Sequence, residues 1–162
     1  MNSKNALMIQ GTGSGVGKSI ITAALCRHFY NKGHKVAPFK AQNMANNAFV
    51  TKDGGEIGRA QAFQAEASGV EPHVSMNPIL LKPCTDDSSQ VIIMGKVKTT
   101  LNAKDYYDQF DEHLSSVTDA FNELHKQYDF IIMEGAGSPA EINLKDFDLV
   151  NMKAAEIANA PV

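Results

Sequence analysis

The residues best suited to chemistry open the chain in one run, Gly11-Thr12-Gly13-Ser14-Gly15-Val16-Gly17-Lys18-Ser19. Glycines let successive backbone N–H groups turn toward a single anion. A helix starting at the end of such a run adds its own partial positive charge. Lys18 would reach the β- and γ-phosphates of a nucleotide, and the Ser19 hydroxyl would ligate Mg²⁺. Gly13, Ser14, Gly15, Val16 and Gly17 complete the predicted cradle. The common phosphate-loop pattern begins with a glycine; Thr12 stands at that position here and Gly11 comes one residue earlier. The competing reading is a glycine-rich turn that binds nothing.

Glu134 is the second candidate. It ends the apolar run Phe130-Ile131-Ile132-Met133 and precedes Gly135-Ala136-Gly137. A carboxylate at the C-terminal end of a parallel strand lies on the ligand-binding edge of the sheet. There it can hold Mg²⁺ directly or through water; otherwise it is a surface acid. Lys40 ends a second strand on the same edge and can neutralise a substrate carboxylate or a moving phosphoryl group. Spacing alone equally allows a solvated lysine. Glu56 and Asp53 are further candidate Mg²⁺ ligands or plain loop acids. Asn43, Asn46 and Asn47 can hydrogen-bond a polar substrate or simply make turns. His28, His34, His73, His113 and His125 show no metal-ligand spacing, and surface positions are expected for them. Cys26 falls inside a helix and is expected in the core.

These groups need strands and helices to position them. Ala6-Leu7-Met8-Ile9 reads as a strand buried on both faces. Residues 20–30 are helix-compatible, with Gly33 as a stop, and 35–39 form a second strand whose Pro38 belongs at an end or an edge. Residues 41–55, rich in Asn and Gly, read as a long loop or two short turns. Residues 59–68 form a helix closed by Gly69. Residues 79–81 and 91–94 are further strands. Asn102 is placed to cap one long helix, with Tyr106, Phe110, Leu114, Val117, Phe121, Leu124 and Tyr128 on its apolar face. A strand at 130–133 and a short helix at 151–158 follow. Ala160-Pro161-Val162 looks like the beginning of another strand. Alternating strands and helices imply an α/β fold with a parallel sheet covered on both faces.

Composition sets the frame. The 162 residues fit one domain, and 43% hydrophobic with 20% charged residues excludes a disordered chain. Fifteen Lys and Arg against eighteen Asp and Glu give a net charge of -3, which argues against a nucleic-acid or anionic-membrane binder. Two cysteines are too few for a disulfide framework, so a reducing cytoplasm is expected. No run is long enough to span a bilayer, and no leader peptide is expected.

Six blocks, in family order, resemble cobyric acid synthase. They are Ile9-Gln10-Gly11-Thr12 through Ser19; Pro38-Phe39-Lys40-Ala41-Gln42-Asn43-Met44; Gly55-Glu56-Ile57-Gly58-Arg59-Ala60-Gln61; Met76-Asn77-Pro78-Ile79-Leu80-Leu81-Lys82-Pro83; Glu134 through Leu144; and Asp148-Leu149-Val150-Asn151-Met152. The phosphate loop itself is similar to that of the wider dethiobiotin synthetase-like group. The resemblance implies a P-loop NTPase-type three-layer α/β/α fold, dethiobiotin synthetase-like, with a mainly parallel sheet.

It implies an ATP-dependent carbon–nitrogen ligase that amidates carboxylates of adenosylcobyrinic acid a,c-diamide with ammonia from glutamine. ATP and Mg²⁺ are the implied cofactors. The implied partners are a corrinoid substrate and a glutaminase domain, with a homodimer as a compatible assembly. By the same resemblance Lys18 and Lys40 are catalytic, Lys40 lying on the substrate side, and Ser19, Glu56 and Glu134 are Mg²⁺ ligands. Asp53 has no counterpart. The family's domain is longer, and neither Cys26 nor Cys84 matches the glutaminase nucleophile. Residues 1–162 are therefore expected to be the front portion of the synthetase domain. Dethiobiotin synthetase, cobyrinic acid a,c-diamide synthase, an ATP-switched partition-type scaffold and an inert nucleotide-binding fragment remain the competing readings.

Overall fold

In a computed structural model of the chain, residues 5–85, 87–139 and 148–162 are described. Three short apolar runs make its central sheet. β1 (Ala6–Ile9), β2 (Val36–Phe39) and β9 (Phe130–Glu134) line up in the order β1-β9-β2, all parallel. Ile9 is level with Glu134, and Phe39 with Met133. The sites predicted at the ends of β1, β2 and β9 thus meet at one edge. Pro38 sits on β2, the outer strand of this sheet, where a missing N–H costs no ladder bond.

Side chains alternate across a strand, and the two faces are covered by different helices. Ala6, Met8, Ala37, Phe39, Ile131 and Met133 share one cluster with Val117, Ala120, Phe121 and Leu124 of α4 (Phe110–Gln127) and with Ala154, Ala155 and Ala158 of α5 (Met152–Ala158). Val36 and Ile132 meet Cys26 and Phe29 of α1 (Lys18–Asn31) on the other face. This is the expected α/β/α sandwich. α2 (Arg59–Ala67) packs beside α1, with Gln61, Ala62, Gln64 and Ala65 inward.

The loop expected at 41–55 contains strands. β3 (Gln42–Met44) pairs in parallel with β6 (Ile79–Pro83), and β4 (Ala48–Val50) forms a hairpin with β5 (Glu56–Gly58). Their shortness and Asn content hide them from a propensity reading. β7 (Ser88–Ile93) and β8 (Lys96–Asn102) extend the second sheet antiparallel, in the order β3-β6-β7-β8. The sequence reading missed β8. Its turn is Met94-Gly95, with φ of 48° and 77°. That is the left-handed pair a two-residue hairpin needs, but with Met where Asn usually signals it.

The expected long helix is two. Asn102 does cap α3 (Ala103–Asp108), its Oδ1 accepting the Asp105 N–H at 2.9 Å. The helix breaks at Gln109, α4 begins at Phe110, and Tyr128 is already extended. The tail, expected to begin another strand, forms none, although the Pro161 carbonyl accepts the Met8 N–H at 2.9 Å along the free side of β1. Among the described residues no helix is long and apolar enough to cross a membrane.

Candidate functional site

The loop between β1 and α1 delivers the first candidate group. Gly15 and Gly17 take φ of 73° and 98°, in the left-handed region open to glycine. A Cβ at Gly13, Gly15 or Gly17 would meet nothing within 4 Å, so these three positions border open space. The N-terminus of α1 carries no side-chain cap, leaving its first N–H groups for a ligand. Gly11, one residue ahead of the usual position, is crowded instead: a Cβ there would lie 2.7 Å from Val16 Cγ2.

Lys18 folds back over this loop. Its Nζ donates to the Gly13 carbonyl at 2.6 Å and to the Gly137 carbonyl at 3.2 Å. It bridges the loop after β1 to the loop after β9. Glu134, buried at the end of β9, gathers the other candidates. Its Oε1 accepts Ser19 Oγ at 2.9 Å and Lys40 Nζ at 2.9 Å. Its Oε2 accepts Gln64 Nε2 at 2.6 Å. Lys40 is 7% exposed and Glu134 2%, so this is a buried ion pair rather than a solvated lysine and a surface acid. The hydrogen bonds to both oxygens offset the desolvation of such a buried pair.

Gln64 escaped the sequence reading. It also donates to the Ser19 carbonyl at 3.3 Å. Gln61 donates to Gln64 Oε1 at 3.5 Å, and Asn43 donates to Gln61 Oε1 at 3.1 Å. A chain of amides thus runs from β3 through α2 to Glu134. The available signal was two glutamines three apart among small alanines, on the face that a helix turns inward.

Other predicted residues lie apart. Glu56 pairs with Lys82 of β6 rather than with Ser19 or Glu134. Asp53 is exposed in the β4–β5 turn. Asn47 offers its carbonyl to the Arg59 N–H at 3.4 Å. Of the family blocks, residues 140–144 lie outside the described residues. Asn151 anchors α5 beside the site, donating to the Ala136 carbonyl at 2.9 Å. Cys26 is fully buried, and burial pushes its thiol up to about 11, which leaves it a core residue. His113 departs from the surface position expected of it and is fully buried in α4; burial holds its imidazole below the usual histidine value.

The donor set fits a magnesium nucleotide. An open cradle of backbone N–H groups, an uncapped helix start and an ammonium suit phosphate. Ser19 Oγ and the Glu134 carboxylate are adjacent hard oxygens, and no cage of three acidic, His or Cys ligands exists among the described residues. Mg²⁺ is commonly held this way, by one or two protein oxygens with phosphate and water supplying the rest.

Known proteins match most of this chain. Cobyric acid synthase of Dehalococcoides mccartyi strain CBDB1 is 59% identical over 156 residues, covering 96% of this chain and 31% of that protein. Cobyric acid synthase of Salmonella gallinarum strain 287/91 is 55% identical over 157 residues, 97% of this chain and 31% of the relative. That of Jannaschia sp. strain CCS1 is 57% identical, again over 97% of this chain and 33% of the relative. The chain therefore spans about a third of the length of these relatives. The family model described as the CobQ/CobB/MinD/ParA nucleotide binding domain matches residues 7–157. With the phosphate loop, the parallel sheet and that match in agreement, the chain belongs to this family of nucleotide-binding domains.

Proposed function

We propose that this chain is the ATP- and Mg²⁺-handling part of a cobyric acid synthase, an enzyme that amidates carboxylate side chains of adenosylcobyrinic acid a,c-diamide. The observation that carries the reading is the convergence of Lys18, Ser19, Lys40 and Glu134 at one sheet edge. The level of identity to cobyric acid synthases supports it.

A carboxylate is a poor electrophile. In the proposed reaction its oxygen takes the γ-phosphoryl group of ATP, releasing ADP, and so gains a good leaving group. Ammonia then attacks the acyl carbon, phosphate departs, and the nitrogen loses a proton to leave the amide. Bound Mg²⁺ would neutralise phosphate charge, held by Ser19 and Glu134. Lys18, released from the Gly13 and Gly137 carbonyls, holds the phosphoryl oxygens. Lys40 fixes Glu134 and lies on the acceptor side, where it offsets the negative charge gathered there. Glu56, bound to Lys82, joins this set only by exchanging that partner. Ammonia would come from a glutaminase portion of the longer protein, in the cytoplasm, and a second copy of the chain is a further proposed partner.

The test is a calorimetric titration of the chain with Mg·ATP beside Lys18→Ala. Binding by the parent and its loss in the variant are expected; equal binding by both overturns the phosphate-loop assignment. ADP release should then rise with the corrinoid acid and ammonium. Stimulation by diaminopelargonate and by no corrinoid would overturn the substrate.

A further inference from the structure

β3 faces two ways. Gln42 and Met44 line a cleft of about 580 Å³ beside the phosphate loop, with Tyr106 and Tyr107 of α3 in its lining. Alternation along the strand turns the half-buried Asn43 to the other side. There its amide meets Gln61 of α2, the first link of the amide chain that ends on Glu134.

That chain has a direction, and Glu134 sets it. A carboxylate only accepts. Gln64 therefore aims Nε2 at Glu134 Oε2, and the same nitrogen meets a second acceptor, the Ser19 carbonyl. Gln64 Oε1 is left facing back along α2, where Gln61 Nε2 donates to it at 3.5 Å, the longest link. Gln61 Oε1 in turn takes Asn43 Nδ2 at 3.1 Å. Every amide donates toward Glu134. Gln61 and Gln64 are fully buried, so no water is at hand to repair a link turned the wrong way.

The start of the chain is held as closely as its end. Gly58 precedes α2 and lies against the Asn43–Gln61 bond: a Cβ there would run into Asn43 Nδ2 and Gln61 Oε1. Any side chain at this position would have to push one of the two amides aside. Asn77, 1% exposed, accepts the Gly58 N–H at 2.9 Å and donates to the Lys40 carbonyl at 3.0 Å. One buried amide thus ties together the two arms that reach Glu134, the end of β2 and the start of α2.

We propose that Asn43, Gln61 and Gln64 form a one-way amide relay that holds Glu134 Oε2 and so leaves Oε1 to Ser19 and the metal side. Asn43 and Gln61 are positioning residues for that carboxylate and touch neither metal nor nucleotide. The inference rests on the Mg²⁺ role proposed for Glu134 above and adds what orients it.

The test is Asn43→Asp, which keeps the shape of the side chain and replaces its donor by an acceptor. Two acceptors must then meet somewhere along the relay. Glu134→Gln places a donor at the far end and relieves that conflict, so the two changes should couple through the relay. Urea unfolding followed by circular dichroism is expected to show Asn43→Asp lowering the midpoint in the parent and lowering it less in Glu134→Gln. Equal lowering in both backgrounds overturns the relay while the amidation reading stands. Calorimetry gives the second readout. Asn43→Asp should bind Mg·ATP about tenfold more weakly and bind ATP without metal as the parent does; Asn43→Ala serves here where the added charge prevents folding. Equal weakening of both, or of neither, overturns the positioning role. A parent chain that binds no Mg·ATP overturns the Mg²⁺ reading, and this inference with it.

Discussion

Glu134 shows how a candidate site residue depends on its neighbours. Three donors from three elements, Ser19, Lys40 and Gln64, converge on its two oxygens. Ser19, Lys40 and Glu134 were legible in the sequence because each ends a recognisable strand or loop pattern. Gln64 was not, because a glutamine among alanines on a helix reads as a good helix former, and only packing shows it to be buried. Replacing Gln64 by Leu would leave one carboxylate oxygen short of a donor in a dry place. A loss of roughly 1–3 kcal/mol in denaturant unfolding is expected. Calorimetry should show Mg·ATP affinity falling more than affinity for ATP without metal; an equal fall in both would mean that Gln64 only holds α2 in place.

Elements were read well where their boundaries carry chemistry and poorly where they do not. Asn102 announced a helix start, and its side chain caps α3 as expected. Nothing in the sequence announced the break at Gln109, since the apolar spacing runs on through it without Gly or Pro. The consequence is a separate short helix presenting Tyr106 and Tyr107 to the cleft. A helix of 6 residues has little stability of its own, so the cap matters. Asn102→Ala should cost about 1 kcal/mol, seen as a lowered thermal midpoint. Amide exchange should quicken in α3 and remain slow in α4; uniform quickening would tie the cap to global unfolding instead.

Across the whole molecule, the α/β/α layering and the site edge follow from three apolar strands that the sequence displays plainly. The antiparallel additions do not, because β8 is a largely exposed strand behind an unusual turn. His113 lies where α3, α4 and β8 meet, near Tyr106, Glu112 and Lys98, and its folded-state pKa is depressed below 6.5, chiefly by burial. The unfolded chain therefore binds this proton more readily than the folded one. The stability so supported is complete above the unfolded value and is lost as pH falls through it toward the folded one. Thermal midpoints measured from pH 7.5 down to about 5.5 should fall more steeply for the parent than for His113→Phe; parallel curves would place the titrating group elsewhere. Charge at this scale also governs delivery to the site. The molecule carries -3 overall, and among the described residues at the phosphate-loop mouth Lys18 and Lys40 stand with Glu134 and, on the adjoining wall, Asp148, so the two signs nearly balance there. A nearly balanced mouth draws in neither a bare divalent cation nor a bare nucleotide, and the acidic body around it repels the nucleotide. The two therefore enter best as one partly neutralised complex, and saturation should track the concentration of that complex rather than of either component.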